Sequence, residues 1–270
     1  VVSMHDIQHV HFRKYFTNLE LILRNLKFNS TINTVNFIQA SSNFIKKDLI
    51  KNFSSFEKDN IIVIKEGVNL NKFKVDNIKL SNSKFILPKK FIFYPAQTWF
   101  HKNHITILKA LLLLKKRNIN IPLVMCGSKK SAHNSIINFI KSNQLENVIH
   151  LGLVTDEELL LLYKKCKFLI TASIYESSSL PILEAAAVGV NIIASKTEPN
   201  IDIASKLKIN LYEKYDYIYL SELLVKLFDK SSEQININNI NYNQQTIKEF
   251  SWEKIAKLYV ELFIKINRRN

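Results

Sequence analysis

Glycine is scarce in this chain of 270 residues: only Gly67, Gly127, Gly152 and Gly189 are present. Each falls where the local pattern puts a loop or a helix end, which suggests backbone positions that need glycine's freedom. Cysteine is rarer still, with Cys126 in a strand-like context and Cys166 at a helix end. Neither belongs to a metal or redox pair, so a disulfide framework is excluded and a reducing cytoplasm is the simplest setting. Long apolar runs are absent too. Ile105 to Leu114 comes nearest, is interrupted by Lys109, and falls short of the ~18 residues of a membrane-spanning helix. No signal peptide is visible. Val1 stands where a start methionine is expected and the chain opens directly into a strand-like Val-Val-Ser-Met, so it reads as one that has lost its beginning.

Arginine is the other shortage. Of 38 basic residues only five are arginine, in a chain whose formal net charge is +15. Bidentate readout of phosphates and bases favours arginine, and the lysines are dispersed among Asn and Ile, so no nucleic-acid partner is expected. The charge does fit a weak peripheral attraction to an anionic membrane surface. At 47% hydrophobic the chain is globular, and its length allows one large core or two modest ones.

Strand and helix patterns alternate almost throughout. Val1–Met4, Val35–Ala40 and Ile61–Ile64 read as strands, with Ser41-Ser42 capping a helix that runs through Asn52. The polar stretch from Asp76 to Lys90 has no clean period and marks a boundary. From Phe91 strands are expected at 91–95, 121–126, 148–151, 168–172 and 191–195, separated by helices near 103–118, 131–144, 155–166 and 180–188. That spacing predicts a parallel, doubly wound α/β sheet. Ile235 to Asn243 reads as a loop and helix start, and Ser251 caps a last helix through Ile266.

The most informative segment is Tyr175-Glu176-Ser177-Ser178-Ser179-Leu180-Pro181-Ile182-Leu183-Glu184-Ala185. A buried strand precedes it and a helix ending at Gly189 follows, with Pro181 suited to the first helical turn. A strand, a small-residue loop and a helix start form a natural anion site, because free N–H groups and the helix dipole favour negative charge there. Glu176 stands in the loop beside that site. Glu184, one turn into the helix, is better used accepting hydrogen bonds from a diol such as ribose. A nucleotide carrying a sugar supplies all three groups. Lys102, at the end of the loop after Phe91–Pro95, can reach across and neutralise a diphosphate. His5, His9 and His11 cluster, but no carboxylate-rich second half accompanies them and no metal is expected.

Glu176 and Glu184, with the small-residue helix between and beyond, resemble the donor-site signature of the retaining family-4 glycosyltransferases, which have the GT-B fold. Phe91–His104, Ile149–Leu159, His5–His9, Glu66-Gly67-Val68-Asn69 and Phe250-Ser251-Trp252 are similar to further family segments in the same order. The resemblance implies two Rossmann-like domains, the N-terminal one truncated. They divide as 1–80, 85–249 and a closing helix over 250–270 that packs back across both. It also implies glycosyl transfer with retention, without metal or cofactor, from a nucleotide-diphosphate sugar, GDP-mannose being the family-level choice. The acceptor is a glycan or lipid-linked glycan, and the setting is the cytoplasm or the inner face of its membrane.

The roles implied follow by position. Glu176, Lys102 and His5 act at the reacting sugar and diphosphate. Glu184, Ser177, Ser178, Ser179, Leu180, Gln97, Gly127, Ser128 and Val154 surround the donor, and Gly67 and Asn69 face the cleft. Two departures stand out. Gln97 replaces a common arginine, and Ser177-Ser178-Ser179 replaces Gly-Phe-Gly, at a cost of about 1 kcal/mol or more wherever positive φ is required. These departures favour a non-catalytic scaffold as one alternative. A nucleotide-sugar epimerase of the same fold is the other.

Overall fold

Two short parallel sheets carry the chain. The computed structural model describes residues 1–53, 56–73, 85–229 and 233–268. The first part contains β1 (Val2–Met4), α1 (Gln8–His11), α2 (Asn18–Thr34), β2 (Ile38–Ala40), α3 (Asn43–Asn52), β3 (Ile61–Val63) and α4 (Leu70–Phe73). Its strands pair in the order β1-β2-β3. α3 starts where Ser42 accepts a hydrogen bond from the Ile45 amide, the expected cap. α2 starts on a capping box between Thr17 and Glu20.

The second part alternates strand and helix as far as the helix Tyr217–Phe228. It comprises β4 (Ile92–Pro95), α5 (His104–Lys116), β5 (Leu123–Cys126), α6 (His133–Ser142), β6 (Val148–His150), α7 (Asp156–Lys165), β7 (Phe168–Thr171), α8 (Leu180–Val188) and β8 (Asn191–Ser195). α9 (Glu198–Ala204), β9 (Asn210–Tyr212), α10 (Tyr217–Phe228), α11 (Glu233–Thr246) and α12 (Trp252–Asn267) follow. The six strands run parallel in the order β6-β5-β4-β7-β8-β9. The central strands β4, β5 and β7 are buried on both faces and read as nearly unbroken apolar runs. Ile92 and Tyr94 pack with α5 and α10, whereas Phe91 and Phe93 pack with α7 and α8.

α8 shows how sequence fixes an element here. Pro181 sits in its first turn, and Gly189 ends it at φ 87 with its amide bonded back to Ala185. A Cβ on Gly189 would stand 2.5 Å from the Gln244 side chain. α12 returns to the first part, where Ile255 and Leu262 pack against Ile64. Val68 and Ser251 form a parallel bridge.

Two expectations change. Ile235–Asn243 lies wholly inside α11, whose buried Asn243 bonds the amide and carbonyl of Lys208. The composition read as a loop and helix start; the helix is there, and packing extends it over the part read as loop. β9, with its buried Tyr212, was also not foreseen. The boundary expected over Asp76–Lys90 falls largely outside the described residues.

Candidate functional site

Strand order brings two loops to one point. The chain builds β4, β5 and β6 outward in one direction, then returns to add β7, β8 and β9 on the other side of β4. The loops after β4 and β7 therefore part at their carboxyl ends and leave a crevice, where sheets of this kind bind ligands. Lys102 is on the first loop and Glu176 on the second, and Lys102 Nζ lies 2.8 Å from Glu176 Oε1.

Both loops are stitched to each other. The Tyr94 hydroxyl donates to the Lys102 carbonyl at 2.6 Å, and the Ile174 amide donates to the His101 carbonyl at 2.8 Å. Burial pulls the Lys102 ammonium down, but Glu176 outweighs it and holds the pKa above the usual lysine value. The cation is thus retained in a half-buried place, where charge acts more strongly than in water. His101 beside it is pushed down to about 4 by burial and by Lys102, and stays neutral.

The serine loop is held from the first sheet. Ser41 Oγ donates to the Ser177 carbonyl at 3.4 Å, and Ser178 Oγ donates to the Glu66 carboxylate. His5 Nδ1 lies 3.3 Å from the other Glu66 oxygen. Ser179 is the N-cap residue of α8 but makes no cap bond; its hydroxyl donates to Asn200 instead. None of Ser177, Ser178 and Ser179 has positive φ; among the described residues the non-glycine exceptions are Asn103, Asn118, Gln144 and Tyr215. The backbone cost feared for serine at these positions does not arise. Leu180 opens the helix, partly exposed.

Glu184, one turn on, accepts from the Tyr163 hydroxyl at 2.8 Å. Burial raises its carboxyl above the ordinary range, offset in part by Tyr163 and Lys72. Lys72 itself pairs with Asp156 at 2.8 Å. Gly127 ties three loops together: its amide donates to the Gly152 carbonyl at 2.8 Å, and its φ of 135 keeps it close under Ala96. The Ser128 carbonyl accepts from the Thr98 amide at 3.2 Å, while Val154 is half-buried against the core around Leu160. Gln97 accepts from the Trp99 indole at 2.8 Å.

Gly67 and Asn69 sit elsewhere. Gly67 is buried against Trp252 and Ile255 of α12, and exposed Asn69 accepts from the amides of Asn71 and Lys72. It is their neighbour Glu66 that reaches the serine loop. The three histidines diverge: His9 is buried against Phe28, and His11 Nε2 lies 2.7 Å from Asp48. No described helix is long and apolar enough to cross a membrane.

Sequence reasoning missed Tyr175. Its ring leaves the second sheet and is buried in the core of the first, among His11, Phe12 and Phe44. Its hydroxyl accepts from the Ile7 amide and donates to Asp48, each at 3.4 Å. A large aromatic beside a loop carboxylate was the only signal.

A family model for Glycosyl transferases group 1 matches residues 76–245. The chain belongs to that family. Among curated relatives of this glycosyl transferases group 1 chain, O-antigen chain mannosyltransferase B of Escherichia coli is 22% identical over 200 residues, 72% of this chain and 52% of that protein. Serotype-specific mannosyltransferase WbdA of Escherichia coli is 23% identical over 226 residues, 82% of this chain and 26% of that protein. The chain thus spans about half the length of one relative and about a quarter of the other. The epimerase alternative finds no support in them.

Solved structures share its GT-B fold. Anabaena Alr3699/HepE, in complex with UDP and glucose, has a TM-score of 0.79 at 15% identity, covering 98% of this chain and 71% of that one. A glycosyltransferase from Rickettsia africae ESF-5 has a TM-score of 0.75 at 22% identity, covering 90% and 68%.

Proposed function

We propose that this glycosyl transferases group 1 chain moves a hexose, mannose from GDP-mannose, to a glycan or lipid-linked acceptor with retention and without a metal. The observation that carries the reading is the Lys102–Glu176 pair at the strand-order reversal, with Glu184 one turn into the helix that follows the Glu176 loop. The relatives named as mannosyltransferases support the sugar, and the neighbour solved with UDP and glucose supports a nucleotide donor. We take residues 1–80 as the acceptor-side domain, 85–249 as the donor domain and 250–270 as the closing helix. The setting taken for it is the cytoplasm or the inner face of its membrane.

In this reading the ribose diol donates to Glu184, and the diphosphate lies on the N-terminal end of α8. Lys102 then exchanges Glu176 for phosphate oxygens. The bond from the anomeric carbon to the leaving phosphate oxygen breaks, and the acceptor oxygen bonds that carbon on the same face. The acceptor's proton passes to the leaving phosphate, so no enzymic nucleophile is needed. Lys102 stabilises the charge that develops, an effect of several kcal/mol in dry sites. Glu176 orients the sugar and His5 stands at the cleft rim.

The test is kinetic, in the protein carrying both domains. Glu184→Ala is expected to weaken nucleotide binding, whereas Lys102→Ala mainly lowers turnover. Unchanged kinetics in both would reject the assignment. The linkage formed, read by NMR, tests retention separately.

A further inference from the structure

Glu66, just beyond β3, sits on a backbone fixed from both sides. Before it, the Ile64 amide donates to the Ala40 carbonyl at 3.0 Å, and Gln39 Nε2 donates to the Ile64 carbonyl at 2.6 Å. After it, Gly67 lies against Trp252 and Ile255, and the Val68 amide donates to the Phe250 carbonyl at 2.8 Å. Lys65 Nζ is 2.5 Å from the Asp202 carboxylate on α9. Held in this way, the Glu66 side chain meets one group from each part of the chain. One of its oxygens accepts from Ser178 Oγ, and the other lies 3.3 Å from His5 Nδ1. The cavity that Glu66 lines with Ser41, Ser178 and Ser179 measures about 20 Å³, room for one water and not for a sugar ring.

We propose that Glu66 is a positioning residue for the transfer, acting through Ser178 and His5 and not on the substrate itself. A hydroxyl has one proton to give. While Ser178 gives its proton to Glu66, and Ser179 gives its own to Asn200, neither has one left for a phosphate. The loop then meets an anion with its backbone amides, and the Glu66 contact decides where those amides stand. On the other side, a carboxylate beside Nδ1 of His5 favours the proton on that nitrogen. Nε2 is left bare, an acceptor on a side chain 58% exposed at the cleft rim. One carboxylate thus sets the direction of a hydroxyl and the tautomer of an imidazole across the gap between the sheets. Nucleotide anchoring is separate, because Glu184 is held by Tyr163. Loss of Glu66 should therefore disturb turnover and leave nucleotide affinity alone. The kinetic part of this inference rests on the glycosyltransferase reading; the tautomer does not.

Three variants separate position from charge. Glu66→Ala removes both contacts. Glu66→Gln keeps the length, with an amide that donates to Ser178 Oγ and a carbonyl that accepts from His5 Nδ1. Glu66→Asp keeps the charge on a shorter arm. In the protein carrying both domains, with GDP-mannose as donor, Glu66→Ala and Glu66→Asp are expected to lower kcat about tenfold or more. The nucleotide Kd from calorimetry should stay within about twofold, and Glu66→Gln should keep most of the rate. An unchanged kcat in Glu66→Ala overturns the proposal, as does a wild-type rate in Glu66→Asp beside a dead Glu66→Gln. So does a parallel loss of kcat, nucleotide affinity and melting temperature in Glu66→Ala, which is the mark of a merely structural role. The tautomer is read by NMR on the chain isotope-labelled at the ring nitrogens of its seven histidines, with His5→Asn marking the His5 signals. At about pH 8, above the ordinary histidine pKa of about 6.5, Nδ1 should carry the proton in wild type and in Glu66→Gln. In Glu66→Ala it should move to Nε2, the form histidine prefers in water. A bare Nδ1 in wild type, or the same spectrum in Glu66→Ala, overturns the proposal without recourse to activity. Absence of transfer beside the expected tautomer change would sink the glycosyltransferase reading and leave the hold of Glu66 on His5 standing.

Discussion

Replacing Tyr175 by alanine is expected to loosen the first sheet, although the residue belongs by sequence to the second. Tyr175 is 5% exposed and contributes to the core formed by Met4, Ile38, Ile45, Leu49 and Ile61. Deleting a buried aromatic of this size costs about 3–5 kcal/mol. Tyr175→Phe keeps the ring and loses two hydrogen bonds of 3.4 Å, at the long end of the range, so its cost should be nearer 1 kcal/mol. Asp48 keeps His11 and Asn52 as partners in that variant. Hydrogen exchange read by mass spectrometry separates the two sheets, which a single melting curve would not. In Tyr175→Ala the amides of β2 and β3 should exchange about two to three orders of magnitude faster, while β5 and β8 stay near wild type. Exchange in β2 and β3 within about threefold of wild type would refute the reasoning, as would equal acceleration in β5.

Three further outcomes are expected. Burial raises the Glu184 pKa, so folding favours its protonated form; that contribution is present below about pH 4.5 and lost as pH rises through the folded value. Glu184→Gln should therefore be at least as stable as wild type in urea at pH 7 while binding nucleotide less tightly. His101 and His104 are lowered by burial to about 4 and about 3, so the stability they contribute is full above about 6.5 and falls as pH drops towards those values. The urea midpoint should decline from pH 6.5 to 4.5, and a flat profile over that interval would count against neutral buried imidazoles. Gly127→Ala places a Cβ 2.6 Å from the Ala96 carbonyl at φ 135, a strain of about 1–3 kcal/mol before any clash. Its melting temperature should fall by several degrees, and an unchanged melt would show that the loops after β4 and β5 part without cost.

The second sheet was the more legible of the two. Phe168–Thr171 is an apolar run bounded by a lysine and small residues, so strand period and burial agree, and α8 carries its proline and glycine where rules put them. The Thr155 capping box declares α7 in the same local way. What stayed hidden depends on distant partners. Nothing local distinguishes Tyr175 from a residue of its own domain, since its burial comes from His11, Phe12 and Phe44, more than 130 positions away. Glu66 was passed over for Gly67 and Asn69 because a turn signal drew attention, whereas the carboxylate gained its place only when Ser178 and His5 met there. α11 was obscured because Asn243 is a poor helix former alone but closes the ends of two neighbouring backbone groups at Lys208.

The return of α12 to β3 has a consequence for how the chain comes off the ribosome. Val68 donates to the Phe250 carbonyl and accepts from the Trp252 amide, and Ile255 and Leu262 cover Ile64. Residues translated early thus wait for residues translated nearly two hundred positions later before their apolar side is covered. The first sheet also waits for Tyr175, so the half that emerges first is completed last. Nascent chains stalled before α12 emerges should have their β3 region cut by protease while β4–β8 resist, and protection should appear only once α12 is clear of the exit tunnel. A chaperone that shields the early segment during that interval would raise the yield of folded protein without altering its final stability.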